Sequence, residues 1–178
     1  MWSRKERPKN KENEKMNYKN MTILSLIVVA VLTRLIPHPA NVAPITGIAL
    51  FAGNNFDDKR MAFLLPLFCM FVTDIFLGFH MIIPFVYLAF MLISYIGINS
   101  QKITNGTILK SSTLFFLITN FGVWMVGYPT SLAGLVACYT LAIPFFINTL
   151  LGDFFYSHLL SLSFSELKEK YPILAEGK

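Results

Sequence analysis

The run MAFLLPLFCMFVTDIFLGF, residues 61–79, decides the fold class, because its nineteen residues hold a single charged side chain, Asp74. At a helical rise of about 1.5 Å per residue, this run covers about 28 Å, close to the hydrocarbon thickness of a bilayer. The surrounding chain points the same way. Of 178 residues, 54% are hydrophobic and 14% charged, with a mean hydropathy of +0.56, too little polar surface for a water-soluble domain. Between residues 61 and 165 the only charges are Asp74, Lys102, Lys110 and Asp153. No stretch outside the apolar runs is long enough to close a core of its own, which excludes a large soluble catalytic domain.

Five further apolar runs flank the first: 21–36, 43–56, 81–98, 111–127 and 132 to about 151. Residues 1–20 carry seven basic and three acidic side chains and are expected to form a disordered basic cytoplasmic tail. The expected domain is a six-helix transmembrane unit over 21–165, followed by a short cytoplasmic tail over 166–178. Run 21–36 reads as an uncleaved anchor rather than a secretory signal, since no small-x-small site closes it and Pro44 directly follows Ala43.

Run 43–56 sets the topology. Its fourteen residues reach only about 21 Å as a helix, and Pro44, Gly47 and Gly53 loosen it, so it is either a span or a re-entrant loop. Charge separates the two readings, because basic residues are retained on the cytoplasmic side. Six spans from a cytoplasmic N-terminus put fourteen of the fifteen basic residues inside, all but Arg34. Five spans would leave seven on each side, with Arg34 between them. The sequence therefore predicts an all-α polytopic bundle in the cell inner (plasma) membrane, with both termini cytoplasmic. The pI near 9.3 then reflects tails and short loops and calls for no nucleic-acid partner.

Apolar character continues beyond Asp153 to about Phe164, and one straight helix from residue 132 would be about 50 Å long. A kink at Pro144 and an interfacial segment over 154–164 are expected, with Asp153 near the inner face, solvated or capping that segment. Small residues four apart, Ala43 with Gly47, Ala133 with Ala137, and Gly134 with Cys138 and Ala142, suit close helix packing within the bundle or against a partner. Cys69 and Cys138 sit in apolar runs and read as small hydrophobes.

No phosphate-binding loop, H-E-x-x-H, G-x-S-x-G or C-x-x-C occurs, so the chain is expected to be no enzyme, to use no cofactor or metal, and to hydrolyse no ATP. The Asn105-Gly106-Thr107 sequon falls on the cytoplasmic side and is discounted. What remains is a polar cluster at one depth: six spans carry Arg34, His38, Asn41, Asp74, His80 and Tyr128 to the outer third.

Arg34 and Asp74 each fall within about 8 Å of an outer helix end, level enough to meet. Arg34 snorkels to headgroups, pairs with Asp74, or contacts a ligand; an ionisable group inside a span is a functional candidate by default. His38 and His80 are more plainly loop residues than metal ligands. Asn120 and Asn148, mid-span in the fifth and sixth helices, either join helices or touch a ligand. Trp124 and Tyr128 also suit an aromatic belt. The three prolines of Pro37-His38-Pro39-Ala40-Asn41-Val42-Ala43-Pro44 make a stiff extended connection, suited to a lid over a pocket or to a protease-resistant link.

Four stretches, RLIPHPANVAP (34–44), LPL (65–67) followed by TDIFLG (73–78), FFLITNFGVW (115–124) and IPFFINT (143–149), resemble a family of uncharacterised small membrane proteins. That family looks like the substrate-binding S components of energy-coupling factor (ECF) transporters, with six spans, a short second helix and an outward pocket under the first loop. The resemblance implies a subunit that captures a vitamin-like or other small solute for uptake, with ECF ATPase and transmembrane coupling subunits as partners. Its expected ligand-binding residues are Arg34, His38, Asn41, Asp74, His80, Asn120, Trp124, Tyr128 and Asn148. S components often carry small residues four apart on the first helix for docking, whereas here that helix offers Ser25 and Ala30 without such a pair. The alternatives are a solitary facilitator or ion-coupled carrier, and a non-transport membrane scaffold or assembly protein.

Overall fold

The computed structural model describes residues 9–37, 39 and 41–174. Among the described residues there are six α-helices and no strand: α1 (Lys9–Arg34), α2 (Ile45–Asn55), α3 (Lys59–Leu77), α4 (Ile83–Asn99), α5 (Asn105–Gly127) and α6 (Leu132–Lys170), followed by a 3-10 turn, Pro172–Leu174. Each apolar run of the sequence carries one helix. Side-chain oxygens fix several starts: Asp58 accepts from the Arg60 N–H, Thr104 from Thr107 and Ser131 from Gly134, each satisfying a backbone donor that has no partner within its own helix.

Helices α3, α5 and α6 are long and apolar enough to cross a membrane, and α4 is apolar but shorter. The burial pattern supports the same environment. Val29, Phe68, Phe76, Phe79 and Leu162 point outward, while Asp74, Asp153, Ser94, Ser111 and Ser112 are buried. Apolar side chains outside and polar ones inside is the distribution of a membrane protein.

The centre of the bundle is α2. Every residue from Ile45 to Gly53 is buried, and the helix packs on α3, α4 and α6. A helix that is apolar all round has no face for water and is stable only inside. Its contact with α4 is backbone on backbone: a Cβ on Gly53 would fall 2.4 Å from the carbonyl carbon of Gly97, and one on Gly97 2.8 Å from the Ala49 carbonyl oxygen. The connection that precedes α2 runs down beside α6, with Val42 Cα 3.1 Å from where a Cβ on Gly152 would stand.

Two expectations are corrected at the chain ends. Residues 9–20 are the first turns of α1 rather than a disordered tail, since extending a helix already nucleated by the apolar run costs far less than starting one; residues 1–8 lie outside the described residues. The α1 base is anchored by Lys19, whose ammonium meets the Asp57 carboxylate at 2.8 Å. Helix α6 does not give way to a separate interfacial segment: it is one helix of 39 residues, with Pro144 inside it, about 58 Å long. Tyr156, Ser157, Leu160 and Phe164 are buried on its inner face, and Phe164 meets the Phe51 ring of α2 edge-on at 5.5 Å. The tail then turns back, so that the 3-10 turn packs on α1 and α6 with Leu174 buried.

Candidate functional site

Arg34 ends α1, and Asp74 lies within the last turn of α3. The guanidinium meets the Asp74 carboxylate at 2.7 Å, and its other arm donates to the Thr73 hydroxyl and, at 3.4 Å, to the Met70 carbonyl. The Tyr87 hydroxyl of α4 donates to the second Asp74 oxygen at 3.1 Å. The two side chains are 16% and 6% exposed, so this is a shielded ion pair with both partners hydrogen-bonded further, the arrangement a buried charge needs.

Beside this pair opens a cavity of about 770 Å³. Its mouth is formed by Arg34, Pro37 and Asn41 from the α1 end and the connection after it, by His80 from the α3–α4 turn, and by Tyr128 after α5. Asn41 holds a φ of +67°, a left-handed conformation that Asn tolerates better than most residues. The walls are aromatic and aliphatic: Phe90 from α4, Phe115, Phe116 and Val123 from α5, and Leu141, Phe145 and Phe146 from α6. Phe116 lies against Phe146 with centroids 4.6 Å apart, and Phe90 against Phe115 at 5.1 Å. An apolar cavity with a few convergent polar groups is the usual form of a small-molecule site.

Two of those polar groups, both threonines, face the cavity as acceptors. The Thr119 hydroxyl donates to the Phe115 carbonyl at 2.8 Å, and the Thr149 hydroxyl to the Phe145 carbonyl at 3.0 Å. Each spends its proton on its own helix and leaves only lone pairs for the cavity. Asn120 donates one amide proton to the Phe116 carbonyl at 2.8 Å and keeps a second N–H beside its carbonyl oxygen.

The floor holds Asp153, which corrects its expected place. It is neither solvated nor a helix cap: it lies in the middle of α6, is 2% exposed, and lines the cavity. The Ser112 hydroxyl donates to its carboxylate at 2.6 Å, and Thr46 hydrogen-bonds to it as well. Among the described residues no cationic side chain pairs with it, the ion pairs being Lys19 with Asp57 and Arg34 with Asp74. Spacing carries the signal that sequence reading passed over. Gly134, Cys138, Ala142, Thr149 and Asp153 all lie on the buried face of α6, at intervals of four or seven that keep one side of a helix.

Of the residues singled out from sequence, Arg34, Asn41, His80, Asn120 and Tyr128 line this cavity. Asp74 stands behind Arg34, outside the lining. Trp124 is turned to the α5–α6 loop, where its indole N–H donates to the Pro129 carbonyl at 3.0 Å. Asn148 is half-buried on α6 and outside the lining, and His38 lies outside the described residues. Of the connection between α1 and α2, Leu35, Ile36, Pro37, Asn41 and Ala43 line the cavity, and the Val42 N–H donates to the Pro39 carbonyl at 3.1 Å, a turn where the three prolines suggested an extended run. Among the described residues no three His, Cys, Asp or Glu side chains come together in a way that would hold a metal ion.

Residues 14–174 match the model of a family described as a family of unknown function, DUF6580. The match covers most of the chain, which therefore belongs to that family. No curated protein and no solved structure matches it.

Proposed function

We propose that this member of the family is a membrane-embedded solute-binding protein that captures a small molecule from outside for uptake. The observation that carries the reading is the cavity lined from α1, α2, α4, α5 and α6 together, aromatic along its walls and polar at its mouth and floor. Its 770 Å³ suits a molecule of vitamin size.

In this reading the chain crosses the membrane six times. The apolar half of α1, α3, α4, α5 and α6 each make one crossing, and α2 makes another together with the connection before it. The positive-inside count supports this arrangement, with fourteen of fifteen basic residues on the side of the termini and the cavity mouth on the other. Uptake against a gradient then needs energy from elsewhere, because the chain has no phosphate-binding loop. ATPase and coupling subunits of the ECF type would supply it. The rival, a solitary carrier, is favoured by α1, which lacks the four-apart small residues used for such docking.

The test is mass spectrometry of small molecules that co-purify with the tagged chain from native membranes, with the co-purifying proteins identified in parallel. A stoichiometric organic solute that leaves when the cavity wall is blocked by Ala142→Trp supports the reading, and an ATPase among the proteins supports the energised form. A chain that purifies empty, and whose melting temperature no solute raises, overturns it.

A further inference from the structure

We propose that the floor of the cavity is a cation subsite, and that the solute is an organic amine or other cationic nitrogen compound with an aromatic or apolar body, its positive end directed at Asp153. The inference rests on the reading of the cavity as a solute site and deepens it.

Charge arithmetic comes first. Arg34 and Asp74 at the mouth neutralise each other at 2.7 Å, which leaves Asp153 as the cavity's unbalanced ionisable group on the cytoplasmic side of that pair. A carboxylate 2% exposed and surrounded by apolar helices is costly unless it meets a countercharge or a proton. Ser112 and Thr46 give it hydrogen bonds but no charge. A bound cation supplies what the protein does not.

The walls are consistent with that occupant. Thr119 and Thr149 have committed their protons to backbone carbonyls and present lone pairs, which welcome an N–H donor and gain nothing from a carboxylate or phosphate. Phe115, Phe116, Phe145 and Phe146 offer ring faces, whose negative quadrupoles favour a cation and whose area suits a flat apolar body. An anionic solute would meet the Asp153 carboxylate with no cation beside it and the acceptor oxygens of Thr119 and Thr149, leaving the second amide N–H of Asn120 as the wall's side-chain donor.

The experiment uses the full chain in lipid nanodiscs and one ring body in three charge states: tryptamine, tryptophol and indole-3-acetate. Binding is read by calorimetry and by the shift in melting temperature. Tryptamine should bind most tightly, with tryptophol weaker by about 10- to 100-fold, the range for loss of one charge-assisted hydrogen bond in a dry site, and with indole-3-acetate weaker still. In Asp153→Asn, which keeps the shape and the acceptor for Ser112, tryptamine and tryptophol should bind alike. Tryptophol or indole-3-acetate binding as well as tryptamine would overturn the cation subsite while leaving the solute site standing. Retained amine preference in Asp153→Asn would likewise overturn it, and binding of none of the three would overturn both readings. If Asp153→Asn does not fold, the wild-type series decides alone.

Discussion

At the scale of residues, the Arg34–Asp74 pair and Asp153 use two ways of keeping a charge inside an apolar bundle. The pair is balanced within the chain: each Arg34 arm has an acceptor, and each Asp74 oxygen a donor. Arg34→Ala strands the Asp74 carboxylate with Tyr87 as its remaining side-chain donor, so the melting transition should fall by the equivalent of about 3–5 kcal/mol. Tyr87→Phe removes one hydrogen bond from a charge that keeps its partner and should cost only about 1–2 kcal/mol. Equal losses in detergent-unfolding experiments would show that the guanidinium is not the principal partner. The pair was legible in the sequence, because two charges near the outer, C-terminal ends of parallel spans have few other places to go. Asp153 was not, since a single acid after an apolar run looks like the point where a helix leaves the membrane, and only the continuation of α6 to Lys170 turns it inward.

At the scale of elements, α2 shows why helix length alone misleads. Its 11 residues are too few to span a hydrocarbon core, and length by itself leaves a span and a re-entrant loop open, which only the count of basic residues decides in favour of a span. Its composition was the better guide, since an all-apolar helix rich in Gly and Ala is one that other helices surround. Helix α5 starts at Asn105, earlier than its apolar run, because Thr104 caps a polar first turn that hydropathy does not register. The α2–α4 crossing can be tested at Gly53. Elsewhere on a helix Gly→Ala gains about 1 kcal/mol, but here the new methyl would lie 2.4 Å from Gly97 backbone, which no rotamer relieves. The overpacking cost of about 1–3 kcal/mol or more should win, so Gly53→Ala should melt lower than wild type. The exposed helical Gly127, where a Cβ meets nothing within 4 Å, should accept Ala without loss. A Gly53→Ala protein as stable as wild type would mean that α2 and α4 stand further apart than described.

At the scale of the whole molecule, the proposed function depends on which way the cavity faces, and the fold turns that question into one about α5. Its 23 residues, Asn105–Gly127, separate the α4–α5 loop from the α5–α6 loop by about 34 Å, so the two loops lie on opposite sides of a bilayer that α5 crosses. The cavity mouth includes Tyr128, at the α5–α6 end, and Asp153 lies toward the other. Basic residues sort with the Lys102 end, and the proposed orientation accordingly has that end in the cytoplasm and the mouth opening outward. Single cysteines at Lys102 and Thr130, both exposed positions, in a chain with Cys69 and Cys138 replaced, should label from opposite sides of intact cells. An impermeant maleimide should reach Thr130→Cys at once and Lys102→Cys only after the membrane is opened. The reverse pattern would turn the cavity toward the cytoplasm, where the same Asp153 and aromatic walls would serve export or sensing of an internal solute. Labelling of both from outside would mean that α5 does not cross, and would remove the apolar surroundings that make the buried carboxylate costly.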